Sequence, residues 1–199
     1  MYSEMLKNSW ASEDKKPGYY EYIHSESERL SRLIENVLQL ARINRHQSDL
    51  KIETTNLGEL MANASSKLGS LIEASDFTLQ EQFDVKALES SIDCSQDATL
   101  QILINFMDNA IKFSRTAEIQ KVIVRLDKLT NGAIEIGVRD FGPGIDQTQM
   151  KKIFELFYRS ENELTRETVG TGIGLALAHQ LATAMNARID ARNCQPGVE

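Results

Sequence analysis

The sequence predicts an α+β protein, a two-layer α/β sandwich in which helices cover a mixed sheet, preceded by an α-helical hairpin. Two observations lead to this fold class. A wide apolar stripe with helical spacing runs through residues 19–44, and from about residue 49 short alternating runs appear between helical ones. The 199 residues suffice for one large domain or two small ones. We therefore expect a helical hairpin at residues 1–47 and a second domain at 48–199.

The composition excludes several classes of protein. The chain is 41% hydrophobic and 26% charged, as ordinary globular proteins are. Its net charge of −7 makes nucleic acid an unfavourable partner, because a phosphate backbone would meet mostly repulsion. The apolar runs are far shorter than the roughly 20 residues that cross a bilayer, so we expect no membrane contact by this segment. Two distant cysteines, Cys94 and Cys194, and no visible signal peptide favour the cytoplasm.

The first two elements are predicted to be the helices of an antiparallel hairpin. A short helix opens the chain, and a polar turn at residues 12–18 contains Pro17 and Gly18. The second helix carries its apolar residues at heptad-like spacing: Ile23, Leu30, Ile34, Val37 and Ala41, with Leu33, Leu38 and Leu40 widening the stripe. Because one hairpin cannot bury so wide a stripe, we expect a homodimer that forms a four-helix bundle.

The second domain is predicted to alternate strands with helices. Its strands are expected at residues 50–54, 77–83, 121–128, 133–140 and around 187–191, and its helices at residues 57–74, 99–113 and 174–185. Asn131 and Gly132, between two alternating runs, are a strong signal for a β-hairpin. This order of elements suits one sheet with helices on one face.

Glycine is concentrated in two short segments. Five of the 11 glycines lie between residues 142 and 174, in DFGPGI and GTGIG. Glycine lets a backbone approach a ligand closely, and a glycine-rich turn before a helix presents amide groups that bind anions. Taken alone, such a segment is equally well a simple turn or helix cap.

Polar side chains add a second and a third signal. Asn105, Asn109, Lys112 and Phe113 lie at i, i+4, i+7 and i+8 of one helix, roughly on one face. An amide oxygen can bind a hard cation and a lysine neutralises phosphate, which suits a magnesium nucleotide, although taken alone an amide-capped helix side explains the asparagines better. Asp140 delivers a carboxylate at a strand end beside FGPGI, where the backbone can approach a flat ring, or it simply initiates a turn.

Together these elements resemble the ATP-binding domain of bacterial sensor histidine kinases, of the gyrase, heat-shock-ninety, kinase and mismatch-repair superfamily. QILINFMDNAIKFS resembles the N box, DFGPGI the first glycine box, FELFYR the F box and GTGIGLAL the second glycine box. YYEYIHSESERLSRLIENVLQLARI resembles the second helix of the dimerisation and histidine-phosphotransfer domain. The resemblance implies a protein-histidine kinase fragment with ATP and Mg²⁺ as cofactors and a response regulator as partner. The sensor and membrane segments of the parent protein would lie upstream.

The resemblance also implies roles for residues at matching positions. Asn109 would hold Mg²⁺, Asn105 and Lys112 would reach the phosphates, and Asp140 would accept a hydrogen bond from the adenine amino group. The other implied ATP-binding residues are Phe113, Gly142, Gly144, Ile145, Phe157, Arg159, Gly170, Thr171, Gly172, Ile173, Gly174 and Leu175. Residues 159–170 would form a lid anchored by Phe154 and Phe157, although plain core packing explains these two phenylalanines equally well.

Two departures from the family pattern are informative. Asn105 stands where hydrolysing relatives carry a glutamate base, and because an amide cannot take a proton, transfer to a protein acceptor is favoured over hydrolysis. The phosphoacceptor box is absent, since His24, which should face solvent, His46 and His179 all lack its neighbours. We interpret the chain as beginning within the first bundle helix, with the acceptor upstream.

Three alternative functions explain parts of the sequence. A catalytically silent nucleotide-binding module of the same fold remains the main alternative, although the intact Asn109, Lys112 and glycines argue against decay. A serine kinase of the anti-sigma type would not need the dimerising helix. A purely structural bundle protein would not explain the glycine boxes.

Overall fold

The computed structural model describes residues 2–8, 10, 12–45, 50–73, 75–159 and 172–199. Its elements are α1 (Tyr2–Lys7), α2 (Lys16–Arg45), β1 (Glu53–Asn56), α3 (Leu57–Glu73), β2 (Thr78–Phe83), α4 (Val85–Leu88), β3 (Ser91–Cys94), α5 (Gln96–Phe113), β4 (Lys121–Lys128), β5 (Ile134–Arg139), a 3₁₀ turn (Lys152–Phe154) and α6 (Gly174–Ala184). Within these ranges, no helix combines the length and apolar character needed to cross a bilayer. The predicted α+β class is confirmed.

The strands form two sheets, whereas the sequence predicts one, because β1 and β3 form a two-stranded sheet of their own. β1 pairs with β3 in antiparallel fashion, and β2, β4 and β5 form a sheet in which β2 runs parallel and β5 antiparallel to the central β4. The predicted sheet is therefore mixed. On its inner face Val122, Val124 and Leu126 of β4 are at most 1% exposed, because the alternating pattern of this strand turns every second side chain toward the helices.

Helix α5 lies at the centre of the domain and buries two faces. Leu103 and Met107 join α3 and the inner sheet face in the larger apolar cluster. Ala98 and Ile102 face α6 in a second cluster with Leu177. A helix with two buried faces has little freedom to rotate, so the positions of its polar residues are fixed.

The hairpin differs from expectation at the start of α2. The predicted turn over residues 12–18 is too long, because Pro17 and Gly18 already lie inside α2. Proline is well tolerated there, since the first helical turn leaves its N–H groups without partners in any case. Four residues of the predicted stripe are between 45% and 60% exposed in the single chain: Leu30, Ile34, Val37 and Leu38. The predicted dimer stays a prediction, and the side chains of Leu33, Leu40 and Ala41 lie outside the described part.

The predicted strand around residues 187–191 is wrong. This stretch is irregular, Arg188 pairs with Asp190 at the surface, and a single antiparallel bridge joins Asn193 to Val198. Ile189 packs against the cluster between α5 and α6, so its apolar side chain serves the core without a strand forming here. The first strand also begins later than predicted, at Glu53, and sequence patterning missed the short α4 and β3.

The predicted domain boundary between residues 47 and 48 falls on residues 46–49, outside the described part. It stays a prediction.

Candidate functional site

The two glycine segments meet the same helix at two points along its length. A β-carbon placed on Gly142 would lie 3.1 Å from the carbonyl oxygen of Phe113, at the C-terminal end of α5. A β-carbon placed on Gly174, the first residue of α6, would lie 3.5 Å from Oδ1 of Asn105. Residues 105 and 113 are about 12 Å apart along a helix axis. The two segments thus mark the ends of a stretch of α5 that contains Asn109 and Lys112.

Asn105 has a buried amide nitrogen that has no hydrogen-bond partner among the described residues. The residue is 8% exposed, and its Nδ2 forms no hydrogen bond with any described residue. Leaving a buried donor unsatisfied costs free energy, so such a group is suited to donate a hydrogen bond to a polar ligand. Asn109 follows one turn later and is half-buried. Both asparagines therefore lie on one helix at the predicted spacing of one turn.

The chemistry of these donors fits Mg²⁺ only together with a phosphate ligand. Across the described ranges, no group of three or more His, Cys, Asp or Glu side chains is arranged to hold a metal ion. Mg²⁺ often takes one or two protein oxygens and completes its shell with water and substrate phosphates. The amide oxygen of Asn109 is suited to that part. The Lys112 ammonium lies 4.3 Å from the Phe113 ring centroid, at the same end of the helix.

Asp140 is oriented by two backbone amides. Its Oδ1 accepts hydrogen bonds from the N–H groups of Gly142, at 2.8 Å, and Val198, at 3.1 Å. Burial raises the pKa of Asp140 above its ordinary range, against the lowering effects of these two hydrogen bonds, the Ser114 hydroxyl and the Arg139 guanidinium. A donor from a ligand would favour the charged form that burial disfavours.

Residues 193–198 are hydrogen-bonded to the DFGPGI loop, a contact that the sequence analysis did not predict. Asn193 exchanges two hydrogen bonds with the backbone of Ile145, and the Asp140 N–H donates to the Val198 carbonyl oxygen at 2.9 Å. Gly197, with φ +102°, lies so close that an added β-carbon would be 1.9 Å from the Asp140 carbonyl oxygen. The Pro196–Gly197 pair is a turn signal in the sequence, but nothing local indicates which loop it contacts.

The second glycine segment is tied to the F box. The Phe157 N–H donates to the Gly172 carbonyl oxygen at 2.8 Å. Phe154 lies with its ring centroid 5.7 Å from that of His179 on α6, and its predicted role as an anchor of the lid stays a prediction. Phe157 is 65% exposed, so plain core packing does not explain this residue, and its predicted anchoring of the lid stays a prediction.

Other predicted site residues are placed unequally. The side chain of Ile173 is fully buried in the cluster between α5 and α6, and the predicted ATP-binding role of this position stays a prediction. Leu175 and Arg159 are half-buried. Gly170, Thr171 and residues 160–169 of the predicted lid lie outside the described residues. Their roles stay predictions.

The histidines agree with the sequence analysis as far as they are described. His24 on α2 is exposed, as expected, and His179 is exposed on α6. His46 lies outside the described residues.

Two family profiles match this sequence. "Histidine kinase-, DNA gyrase B-, and HSP90-like ATPase" matches residues 94–198, more than half of the chain, and "His Kinase A (phospho-acceptor) domain" matches residues 1–46. Sensor protein kinase WalK from Staphylococcus aureus is 28% identical over 195 residues, which cover 98% of this chain and 46% of that protein. In the strain Newman the covered share of WalK is 31%. The chain spans less than half the length of these curated relatives.

Solved structures share the fold. Full-length ShkA in complex with AMPPNP has a TM-score of 0.71 at 22% identity, covering 92% of this chain and 37% of that one. Acinetobacter baumannii histidine kinase AdeS has a TM-score of 0.72 at 17% identity, covering 99% and 88%. ThkA in complex with the response regulator TrrA has a TM-score of 0.67 at 22% identity, covering 89% and 48%. The predicted sandwich preceded by a helical hairpin is thereby confirmed.

Gly197→Ala is expected to lower the free energy of unfolding by about 2 kcal/mol or more, because a β-carbon there meets the Asp140 carbonyl and the φ of +102° disfavours it. Gly69→Ala, on α3 with nothing within 4 Å, is the matched control and should be neutral or stabilise by up to about 1 kcal/mol. Urea denaturation of both variants measures the difference. Equal stabilities would contradict the close approach of Gly197 to Asp140.

Proposed function

Because this chain belongs to the bacterial sensor histidine kinases, within the family of histidine kinase-, DNA gyrase B- and HSP90-like ATPases, we propose that it is their catalytic portion. In this proposal it binds Mg-ATP and transfers the γ-phosphate to a histidine outside this chain. The phosphoryl group then passes to an aspartate of a response regulator, the partner class with which the relative ThkA was solved.

The observation that carries the proposal is the arrangement of polar groups along α5. At one end Asp140 is held by two peptide N–H groups beside a glycine loop that contacts the helix end. At the other end lies Asn105, whose amide nitrogen has no hydrogen-bond partner among the described residues. Its side chain is close to Gly174, the first residue of α6. A carboxylate that accepts from an amino group suits the base, and a helix N-terminus suits phosphate. A nucleotide lying along α5 satisfies both.

Each polar residue then has a distinct task. Asp140 accepts from the adenine amino group, and Gly142, Gly144 and Ile145 shape the pocket for the ring. Lys112 places positive charge near the phosphates, and Asn109 offers its amide oxygen to the metal ion. When bound, Mg²⁺ would neutralise charge on the phosphate oxygens. Asn105 cannot act as a base for water, which favours transfer over hydrolysis.

Exposed apolar residues on α2 support a homodimer. Leu30, Ile34, Val37 and Leu38 follow helical spacing and leave about half of each side chain to solvent in the single chain. A contiguous exposed apolar stripe is typical of an association surface. A second copy with the same stripe completes a four-helix bundle, and we place this portion of the protein in the cytoplasm, where ATP is available.

Asp140→Asn tests base recognition. The variant is expected to weaken ATP binding by about 2 kcal/mol or more, because an amide pairs poorly with the adenine amino group in a partly buried site. The wild type should reject GTP, since guanine presents a carbonyl there. Burial raises the pKa of Asp140, so on acidification this carboxylate takes up a proton at a higher pH than an exposed aspartate does. ATP affinity should therefore begin to fall at that higher pH. Calorimetry measures the effect of the substitution, the affinity for GTP and the pH dependence of ATP binding. Comparable binding of ATP and GTP would contradict the assignment of Asp140 to adenine recognition.

Asn109→Ala is expected to abolish magnesium-dependent ATP binding and leave the fold intact, because the amide serves as a metal ligand. Calorimetry with and without Mg²⁺, together with thermal unfolding, provides the measurement. Asn63→Ala, at an exposed asparagine on α3, should leave the magnesium response unchanged. A large loss of thermal stability in Asn109→Ala would instead give that residue a structural role.

Incubation with γ-labelled ATP separates a kinase from a silent nucleotide-binding module. The chain alone should stay unlabelled, because a phosphate site supplies no nucleophile and His179 lies on α6 itself, packed against Phe154. A version extended upstream should gain an acid-labile, base-stable label on one histidine. A silent module would leave both unlabelled, and label on this chain that is lost in His24→Ala would overturn the proposed acceptor position.

A further inference from the structure

The turn formed by residues 193–198 grips the DFGPGI loop at both of its ends. Asn193 and Val198 face each other in an antiparallel bridge, so they form the two sides of one narrow turn. The Val198 side exchanges hydrogen bonds with Asp140, at the beginning of the loop. The Asn193 side exchanges hydrogen bonds with Ile145, at the end of the loop. The loop therefore spans two fixed points on one neighbouring element.

The contact at Ile145 is made by a single side-chain amide. Oδ1 of Asn193 accepts from the Ile145 N–H at 2.9 Å, and Nδ2 donates to the Ile145 carbonyl oxygen at 2.7 Å. Both polar groups of one peptide residue are satisfied as they would be across a β-ladder. Only an amide supplies a donor and an acceptor in this side-by-side geometry at this length.

The shape of the loop is matched to this amide. Gly144 has φ +81°, and a β-carbon placed on it would lie 3.0 Å from Oδ1 of Asn193. The positive φ bends the chain between Gly142 and Ile145, and the absent side chain leaves room for the asparagine. The loop could not adopt the same bend against a bulkier side chain at position 144.

Asn193 itself is exposed, so its hydrogen bonds contribute modestly to the stability of the fold. Their larger effect is on orientation. With Asp140 fixed by Val198 and Ile145 fixed by Asn193, the carboxylate and the residue expected against the ring are held at a constant separation. Preorganised groups bind more tightly because less conformational freedom is lost on binding.

We propose that Asn193 is a positioning residue for base recognition, acting through Ile145 on the adenine end of the site. The inference rests on the proposed function, in which Asp140 and Ile145 contact adenine. It adds a residue outside the four sequence boxes to the determinants of affinity. Because Asn193 touches only the Ile145 end, its loss should leave the phosphate end unaffected.

The test compares Asn193→Ala with Asn131→Ala. Asn131 also uses its side chain to hold a turn, accepting from the Ala133 N–H at 3.0 Å, but it lies in the remote β4–β5 hairpin. Calorimetry with Mg-ATP and with magnesium tripolyphosphate separates the base end from the phosphate end. Asn193→Ala should bind Mg-ATP about fivefold to tenfold more weakly and tripolyphosphate unchanged. Asn131→Ala should match the wild type for both.

Amide hydrogen exchange of the nucleotide-free chain reports on the loop independently of ligand binding. In Asn193→Ala the Ile145 amide should exchange faster, and the Asp140 amide, bonded to Val198, should keep its wild-type rate. Faster exchange at both amides, or equal weakening of ATP and tripolyphosphate, would show that the whole turn has detached and would overturn the inference.

The outcomes also separate this inference from the proposed function. If Asp140→Asn weakens ATP binding and Asn193→Ala does not, the proposed function stands and Asn193 has no positioning role. If the wild-type chain binds no ATP, both fall. Weaker ATP binding with unchanged tripolyphosphate binding and local exchange at Ile145 supports both.

Discussion

The burial of α5 on two faces is the constraint on which the rest of the domain depends. Leu103 and Met107 fix one face against the sheet layer, and Ile102 fixes another against α6. An α-helix turns about 100° per residue, so two buried faces determine where every remaining side chain lies. Asn105 and Asn109 therefore cannot leave the site without disrupting the apolar packing that holds the helix.

The glycine segments border the proposed binding site on this fixed helix. A β-carbon on Gly142 would approach the Phe113 carbonyl oxygen tightly, at 3.1 Å, whereas one on Gly174 would make an ordinary contact with Asn105 at 3.5 Å. In the proposed site, peptide N–H groups at these turns and at the start of α6 act together with the charged side chains of Asp140 and Lys112. Such a surface can bind a highly charged ligand in a protein whose own net charge is −7.

The residues of the proposed site differ in whether the protein itself satisfies their polar groups. Asp140 and Ile145 are held by the C-terminal turn through hydrogen bonds between 2.7 and 3.1 Å. The Asn105 amide has an unsatisfied donor in the described structure. In the proposed site the base end is therefore preorganised, and the phosphate end contains a polar group that a ligand would satisfy. This division explains why base selectivity and magnesium dependence are expected to respond to different residues.

Sequence patterning alone determined the helices and strands in which buried residues recur at a regular spacing. It predicted β4 over its full extent, the turn at Asn131 and Gly132, and the polar face of α5, because alternation and helical spacing are local properties. Only the tertiary structure decided that residues 187–191 form no strand, that Ile173 points into the core, that Phe157 is exposed and that Asn193 contacts Ile145. Asn193 lies 48 residues from Ile145 along the chain, and a contact at that separation depends on where both segments pack and leaves no periodic trace in either one.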